Sequence, residues 1–115
     1  MPHYMFQGGY SPETWARLVK NPEDRQPVLE RLMAQNGGKL ISFFYSFGSD
    51  DFVLIVELPN NYAAAAIPMA LASSGALQNL RTTPLLTVKE ATESMRKARG
   101  IFYRAPGAAE SIRSY

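Results

Sequence analysis

Two carboxylates, Asp50 and Asp51, stand side by side between two apolar segments of the chain. Adjacent carboxylates can bind a hard cation, or one of them can act as a general base. Aspartate is also favoured in tight turns for its local backbone hydrogen bonds, and a turn alone offers too few oxygen ligands for calcium or magnesium. We therefore interpret the pair as turn carboxylates and expect no metal site.

Glu57 and Arg81 are the next polar side chains that could carry chemistry. Glu57 is the only charge in its apolar segment after Asp51, so it could serve as a base or, at the segment's end, simply reach water. Arg81 could bind an anionic ligand or pair with Glu57, and an ordinary salt bridge is the more common role for such an arginine. No catalytic residue can be assigned from these two alone.

Aromatic side chains could line a cleft between a sheet and its helices. Trp15 also fits the apolar face of a helix, which predicts a core position. His3 is the only histidine, and a lone histidine near a chain start is usually solvated. The residues we select as ligand-pocket candidates are Tyr10, Trp15, Tyr45, Glu57 and Arg81.

Composition excludes several classes of protein. The 115 residues are 46% hydrophobic and 19% charged, as expected for one globular domain. The absence of cysteine excludes disulfides, thiolate catalysis and cysteine zinc sites. The net charge is +2 and the basic residues are scattered, so no nucleic-acid-binding stripe is visible. We expect no cofactor and no nucleic-acid partner.

The sequence shows no membrane or export signal. Residues 1–6 lack the basic start and long apolar core of a signal peptide. The longest apolar run, Tyr62–Ala72, contains Pro68 and falls short of the roughly 20 residues that span a bilayer. We therefore expect a cytoplasmic protein with no membrane partner.

The order of the predicted elements is β-α-β-β-α-β, followed by a last helix. Strands are predicted at 3–10, 39–47, 51–58 and 77–86. The first helix starts at Ser11-Pro12 and is broken or kinked near Asn21–Pro27, and the second runs to about Ser74 with a kink at Pro68. Thr87–Glu90 forms a capping box for the last helix. We divide the chain into one domain, 1–100, and a tail, 101–115.

This order predicts an α+β, ferredoxin-like fold with an extra C-terminal helix. The expected strand order is 4-1-3-2, with the first two helices on one face. Pro84 suits the edge, because proline cannot donate to a ladder. The third strand is apolar nearly throughout, which indicates that both of its faces are covered.

The expected cover for the second face is another copy of the chain. Alternation places Phe52, Leu54 and Val56 on one face of the third strand and Val53 and Ile55 on the other. On the second strand it places Ile41, Phe43, Tyr45 and Phe47 on one face and Leu40 and Phe44 on the other. The helices can cover only one of these faces. A large apolar patch of this kind is rare on a soluble monomer, and two-fold symmetry makes it complementary to itself. We expect a homodimer, or a higher oligomer, whose sheets form a barrel.

The chain resembles the GYD-domain proteins of bacteria over roughly residues 2 to 107. The motifs that carry the resemblance are Tyr10–Trp15, Asn21–Arg25, Gly37–Leu40, Phe47–Asp51, Val53–Pro59, Ala63–Ala66, Ser74-Gly75, Arg81–Thr83 and Tyr103–Gly107. The family's glycine and aspartate match Gly48 and Asp51, whereas Asp50 stands where the family has its tyrosine. The resemblance implies a ferredoxin-like fold of the dimeric α/β-barrel kind. It brings no established activity and no catalytic residues.

Three functions remain compatible with these features. The first is a homodimeric small-molecule-binding or accessory protein. The second is a cofactor-independent enzyme, monooxygenase- or isomerase-like, that acts on an aromatic or polyketide-like molecule, an analogy that rests on fold alone. The third is an RNA binder, which ranks last because Asp51–Leu54 lacks the basic residue and the glycine of that motif.

Overall fold

The computed structural model describes residues 1–107 and the backbone of residues 112–113. The elements, in chain order, are β1 (His3–Tyr10), α1 (Pro12–Lys20), α2 (Gln26–Gln35), β2 (Lys39–Tyr45), β3 (Phe52–Glu57), α3 (Asn61–Ser73), β4 (Leu77–Leu85), α4 (Val88–Ala98), β5 (Phe102–Tyr103) and β6 (Ile112–Arg113). The chain forms two compact units, which meet in sequence between Leu85 and Leu86.

The first unit contains a four-stranded sheet in the order β2-β3-β1-β4, with every neighbouring pair antiparallel. This order confirms the predicted arrangement, with β4 and its Pro84 at one edge, and is compatible with a ferredoxin-like fold. The second strand ends at Tyr45, two residues before the predicted Phe47, and the Phe47 side chain is fully exposed in the turn that follows.

The helices α1, α2 and α3 pack on one face of this sheet. Their capping follows the sequence: Ser11 accepts from the Thr14 amide at the start of α1, and Asn60 accepts from the Ala63 amide at the start of α3. The predicted break separates α1 from α2, so the first helical segment is two helices joined by residues 21–25. This face, which we call the covered face, holds the core.

The core alternates along the central strands. Phe52, Leu54 and Val56 of β3 are buried, as are Tyr4 and Phe6 of β1. They pack against Leu29 and Met33 of α2 and against Ala64 and Ile67 of α3. Burial of apolar surface stabilises a fold by about 25 cal/mol per Å². These contacts therefore hold the helices to the sheet.

One expectation about side-chain direction is wrong. Alternation placed Leu40 and Phe44 on the same face of the second strand, but the β2–β3 register shifts between Leu40 and Ser42. The extra residue of this bulge turns Leu40 toward the core, where it packs with Phe43. Phe44 remains on the opposite face and is 64% exposed.

The two glycines of β1 are explained by what lies beside them. The register of β1 and β4 shifts between Gln7 and Gly9, and the extra residue belongs to β4, where Asn79 adopts a left-handed conformation with φ of 55°. A Cβ on Gly8 would lie 2.6 Å from Cδ2 of Leu80. The predicted bulge at Gly8-Gly9 is therefore present, with the inserted residue on the neighbouring strand.

The second unit begins at Leu86 and contains α4. Thr87 and Glu90 form the predicted capping box at its start, each side chain accepting from the other residue's amide. Phe102 and Tyr103 pair with Arg113 and Ile112 as a short antiparallel ladder, so the first residues of the predicted tail are extended. The composition of the tail beyond Tyr103 predicts a loose segment, and this expectation is wrong at Ile112–Arg113, which pair with β5. Residues 108–111 and 114–115, on which the same expectation falls, lie outside the described residues.

Candidate functional site

A cavity of about 270 Å³ opens within the first unit, between the covered face of the sheet and the three helices. Its floor is apolar because buried side chains of the core form it. These apolar lining residues are Leu29, Phe43, Phe52, Leu54, Leu71, Ala76 and Leu77. Its remaining lining residues are polar or amphipathic: Tyr10, Thr14, Arg17, Glu23, Arg25 and Ser74. A mostly apolar hollow with a few convergent polar groups is the usual form of a small-molecule site.

The mouth of the cavity lies where α1 gives way to the 21–25 loop. Arg17 comes from the second turn of α1, and Glu23 and Arg25 come from the loop itself. Arg25 Nη1 lies 3.6 Å from Glu23 Oε2, and Arg17 Nη2 donates to Thr14 Oγ1 at 3.4 Å. The mouth therefore contains two cations and one carboxylate.

Tyr10 links the cavity to an aromatic cluster at the end of β1. Its ring meets the Trp15 ring edge-on, with centroids 5.1 Å apart, and its hydroxyl lies 3.1 Å from the Tyr45 hydroxyl. Phe52 and Phe43 extend the cluster along the sheet. Edge-on and tilted aromatic pairs stabilise such a cluster beyond simple burial.

The phenol of Tyr10 is chemically distinctive. Burial, followed by the hydrogen bond and charge interaction with Tyr45, raises the pKa of Tyr10 above its ordinary value of 10.0. Arg25 opposes this shift without cancelling it. Tyr10 is therefore a neutral hydrogen-bonding group at physiological pH, not a phenolate base.

The structure brings three of the predicted pocket residues together. Tyr10 lines the cavity, and Trp15 and Tyr45 contact Tyr10 directly. Trp15 is 38% exposed, so the expectation that it is a core residue is wrong. Its indole reaches the surface because Nε1 donates to Asp51 Oδ2 at 3.0 Å instead of packing among α2 and α3.

Glu57 and Arg81 lie elsewhere. In the alternation of their strands they fall on the sheet face opposite the helices, which we call the opposite face. Glu57 Oε1 lies 3.2 Å from His3 Nε2, and Arg81 donates to Asp50. The His3 Nδ1 atom is buried and has no partner in the part of the chain that the structure describes.

The turn carboxylates each have a structural partner. Asp51 Oδ2 accepts from the Tyr10 amide and from Trp15 Nε1, both at 3.0 Å, and so fastens the hairpin to β1 and α1. Asp50 pairs with Arg81 across the opposite face. Within residues 1–107 no three histidine, aspartate or glutamate side chains are grouped as a metal site would require.

Sequence reasoning missed the two arginines of the mouth. Arg17 follows Trp15 by two positions on a short helix, and Arg25 lies in a loop whose conformation the sequence does not specify. One feature of the sequence could have suggested them. The break at Asn21–Pro27 indicates a polar loop next to the apolar face of the first helix. Leu71 and Leu77 also line the cavity and were not selected as pocket candidates.

A comparison with protein families matches the GYD domain over residues 4–95. That match covers most of the chain, which therefore belongs to the GYD-domain family. A comparison with curated proteins finds no match. No helix among the described residues is both long and apolar enough to cross a membrane.

Proposed function

We propose that this GYD-domain protein is a homodimeric small-molecule-binding or accessory protein. The observation that carries the proposal is the cavity beneath α1, α2 and α3, with its apolar floor and polar mouth. All of its lining residues belong to the first unit.

The cavity is suited to an apolar ligand of modest size. Protein interiors normally leave few voids larger than a water molecule, because each one forfeits dispersion contacts. A hollow of about 270 Å³ lies just below the range of roughly 300–1,000 Å³ that is typical of ligand sites. A ligand that packs against the apolar floor would make those dispersion contacts and be stabilised by them.

The alternative is a cofactor-independent enzyme, monooxygenase- or isomerase-like, that acts on an aromatic or polyketide-like molecule. Proton abstraction would need a base near the cavity floor with a pKa close to neutrality. Tyr10 is the titratable group most deeply placed there, and its raised pKa keeps it protonated. This favours binding over proton abstraction.

The homodimer is supported by the apolar residues of the opposite face. Met5, Val53 and Ile55 are only partly buried at the centre of the sheet, and Phe44 is 64% exposed beside them. Covering these side chains with the same face of a second copy would remove them from water, and two-fold symmetry makes the patch self-complementary.

Binding is tested with aminoanthracene, a neutral probe whose fluorescence rises in apolar surroundings, together with native mass spectrometry of the purified protein. We expect the probe to bind wild type and to lose affinity in Leu71→Trp, which fills the floor. Met69→Trp places the same side chain on an exposed position of α3, outside the cavity, and should bind like wild type.

Two results would overturn the proposed site. One is the absence of both probe binding and any co-purified ligand in wild type. The other is equal binding by wild type and a folded Leu71→Trp variant, with folding checked by circular dichroism. Met69 lines a second groove, formed by Tyr4, Asn61, Ala64, Ala65, Pro68, Met69, Thr82 and Pro84. Loss of binding in Met69→Trp alone would place the site in that groove and would also contradict the proposal.

A further inference from the structure

We infer that the ligand of this cavity carries one anionic group, in its simplest form a carboxylate, which Arg17 and Arg25 hold at the mouth while an apolar skeleton fills the floor. This inference rests on the proposed binding function and adds the charge and size class of the ligand.

The charge balance of the mouth is the first argument. Arg17 and Arg25 supply two positive charges and Glu23 supplies one negative charge, so the lining carries a net charge of +1. A carboxylate placed between the two guanidinium groups would neutralise that excess. Guanidinium matches carboxylate geometry well and can donate two parallel hydrogen bonds to it.

The contacts of Arg25 with Glu23 and of Arg17 with Thr14 are weak, and Arg25 also interacts with the Tyr10 side chain. The Arg25–Glu23 separation of 3.6 Å exceeds the usual length of a charge-assisted hydrogen bond, which is about 2.7–2.9 Å. The Arg17–Thr14 contact of 3.4 Å is also long and involves a neutral acceptor. A ligand carboxylate would therefore exchange two poor contacts for stronger ones.

Partial burial makes the site more selective than a surface arginine would be. The side chain of Arg25 is only 32% exposed, and its guanidinium lies beside an apolar floor. Electrostatic attraction to an anion is less screened by solvent in such a position. The neutral Tyr10 phenol nearby adds no negative charge that would compete with the ligand.

The volume limits the skeleton. The cavity volume of about 270 Å³ lies near the lower end of the range of roughly 300–1,000 Å³ that is typical of ligand sites. That volume suits an aromatic acid of two fused rings or a short alkyl acid.

The test compares naphthoate with naphthamide, which have nearly the same shape and differ in charge. Each displaces bound aminoanthracene, and calorimetry gives the dissociation constants directly. We expect naphthoate to bind roughly tenfold more tightly, as a charge-assisted hydrogen bond would give. Its affinity should fall with added sodium chloride, while that of naphthamide should stay constant.

Charge-removing variants locate the effect. Arg25→Gln and Arg17→Gln should each reduce naphthoate affinity by roughly threefold to tenfold and leave naphthamide affinity unchanged. Arg31→Gln is the matched control, since Arg31 is exposed on α2 and does not line the cavity. It should bind both ligands like wild type.

The outcomes separate the two proposals. Equal affinities for naphthoate and naphthamide, or naphthoate binding that survives both arginine substitutions, would overturn the anionic-ligand inference while the cavity remains a binding site. If aminoanthracene, naphthoate and naphthamide all fail to bind wild type, the proposed function itself is wrong.

Discussion

The two faces of the four-stranded sheet have different chemistry although they share the same backbone. The covered face holds apolar side chains packed under α1, α2 and α3, and the cavity lies on this face. The opposite face mixes the partly buried Met5, Val53 and Ile55 with two polar contacts, His3–Glu57 and Arg81–Asp50. We interpret the covered face as the place for a ligand and the opposite face as the place for a second copy.

The neighbouring aspartates of the hairpin show the same division in one turn. Asp51 reaches toward α1 and accepts from a backbone amide and an indole, whereas Asp50 reaches across the opposite face to Arg81. Identical side chains one position apart therefore serve different surfaces. Because of this, paired substitutions on the two faces can test the interpretation.

The largest expected effect is on assembly. Phe44→Asp would bury a carboxylate at each of two symmetric positions, and we expect the dimer to weaken roughly a thousandfold, or about 4 kcal/mol. Light scattering on a size-exclusion column should show a dimer of the 12.8 kDa chain for wild type and a monomer for the variant. Phe47→Asp, at a fully exposed turn residue, should remain dimeric. A monomeric wild type at micromolar concentration would contradict the dimer.

The next effect is on stability within one subunit. In the Phe44→Asp background, Leu54→Ala should lower the free energy of unfolding by about 3 kcal/mol, because Leu54 is 2% exposed and truncation leaves a void. Ile55→Ala removes the same number of carbons from the opposite face and should cost less than half as much. Urea denaturation measures both, and equal losses would show that the two faces are equally packed.

The two hairpin aspartates should also differ in how much each stabilises the fold. Asp51→Ala leaves the Tyr10 amide and the Trp15 indole without their acceptor and should destabilise the fold by about 2 kcal/mol. Asp50→Ala removes an ion pair whose arginine is 59% exposed and should cost less than about 1 kcal/mol. A larger loss of unfolding free energy in Asp50→Ala than in Asp51→Ala would show that Asp50, not Asp51, has the structural role.

The smallest effect is the alkaline pH dependence of stability. The pKa of Tyr10 is raised in the folded chain, so the folded state favours the protonated phenol. Its contribution is complete below the unfolded value of 10.0 and is lost as the pH rises from there toward the folded pKa. Tyr10→Phe should remove this alkaline decline and cost about 1 kcal/mol at neutral pH. Thermal unfolding across this range checks it, and Tyr62→Phe, which is 87% exposed, should leave the decline intact.

The sequence predicted the elements well because local signals specify them. Glycine and proline mark the ends of β1, α2 and β3, Thr87 and Glu90 mark the start of α4, and the run from Phe52 to Val56 identifies a central strand. These signals act over a few residues, so no tertiary information is needed to find them. Strand order then followed from the edge preference of Pro84.

The sheet face toward which each side chain points was harder to predict, because it depends on strand register. A single bulge after Leu40 reverses the direction expected for that residue, and alternation alone gives no sign of it. Arg17 and Arg25 meet at the cavity only because the 21–25 loop folds back beside α1. Glu57 and Arg81 looked equally suitable in sequence, yet their strands direct them to the opposite face.

The most direct test is a methyl-detected nuclear magnetic resonance titration of the wild-type protein with naphthoate. It observes both faces of the sheet in one experiment. We predict chemical-shift changes at the methyl groups of Leu54, Leu71 and Leu77, which line the cavity, and none at Val53 and Ile55. Shifts confined to Val53 and Ile55, or no shifts at any methyl group at saturating naphthoate, would contradict a ligand site on the covered face.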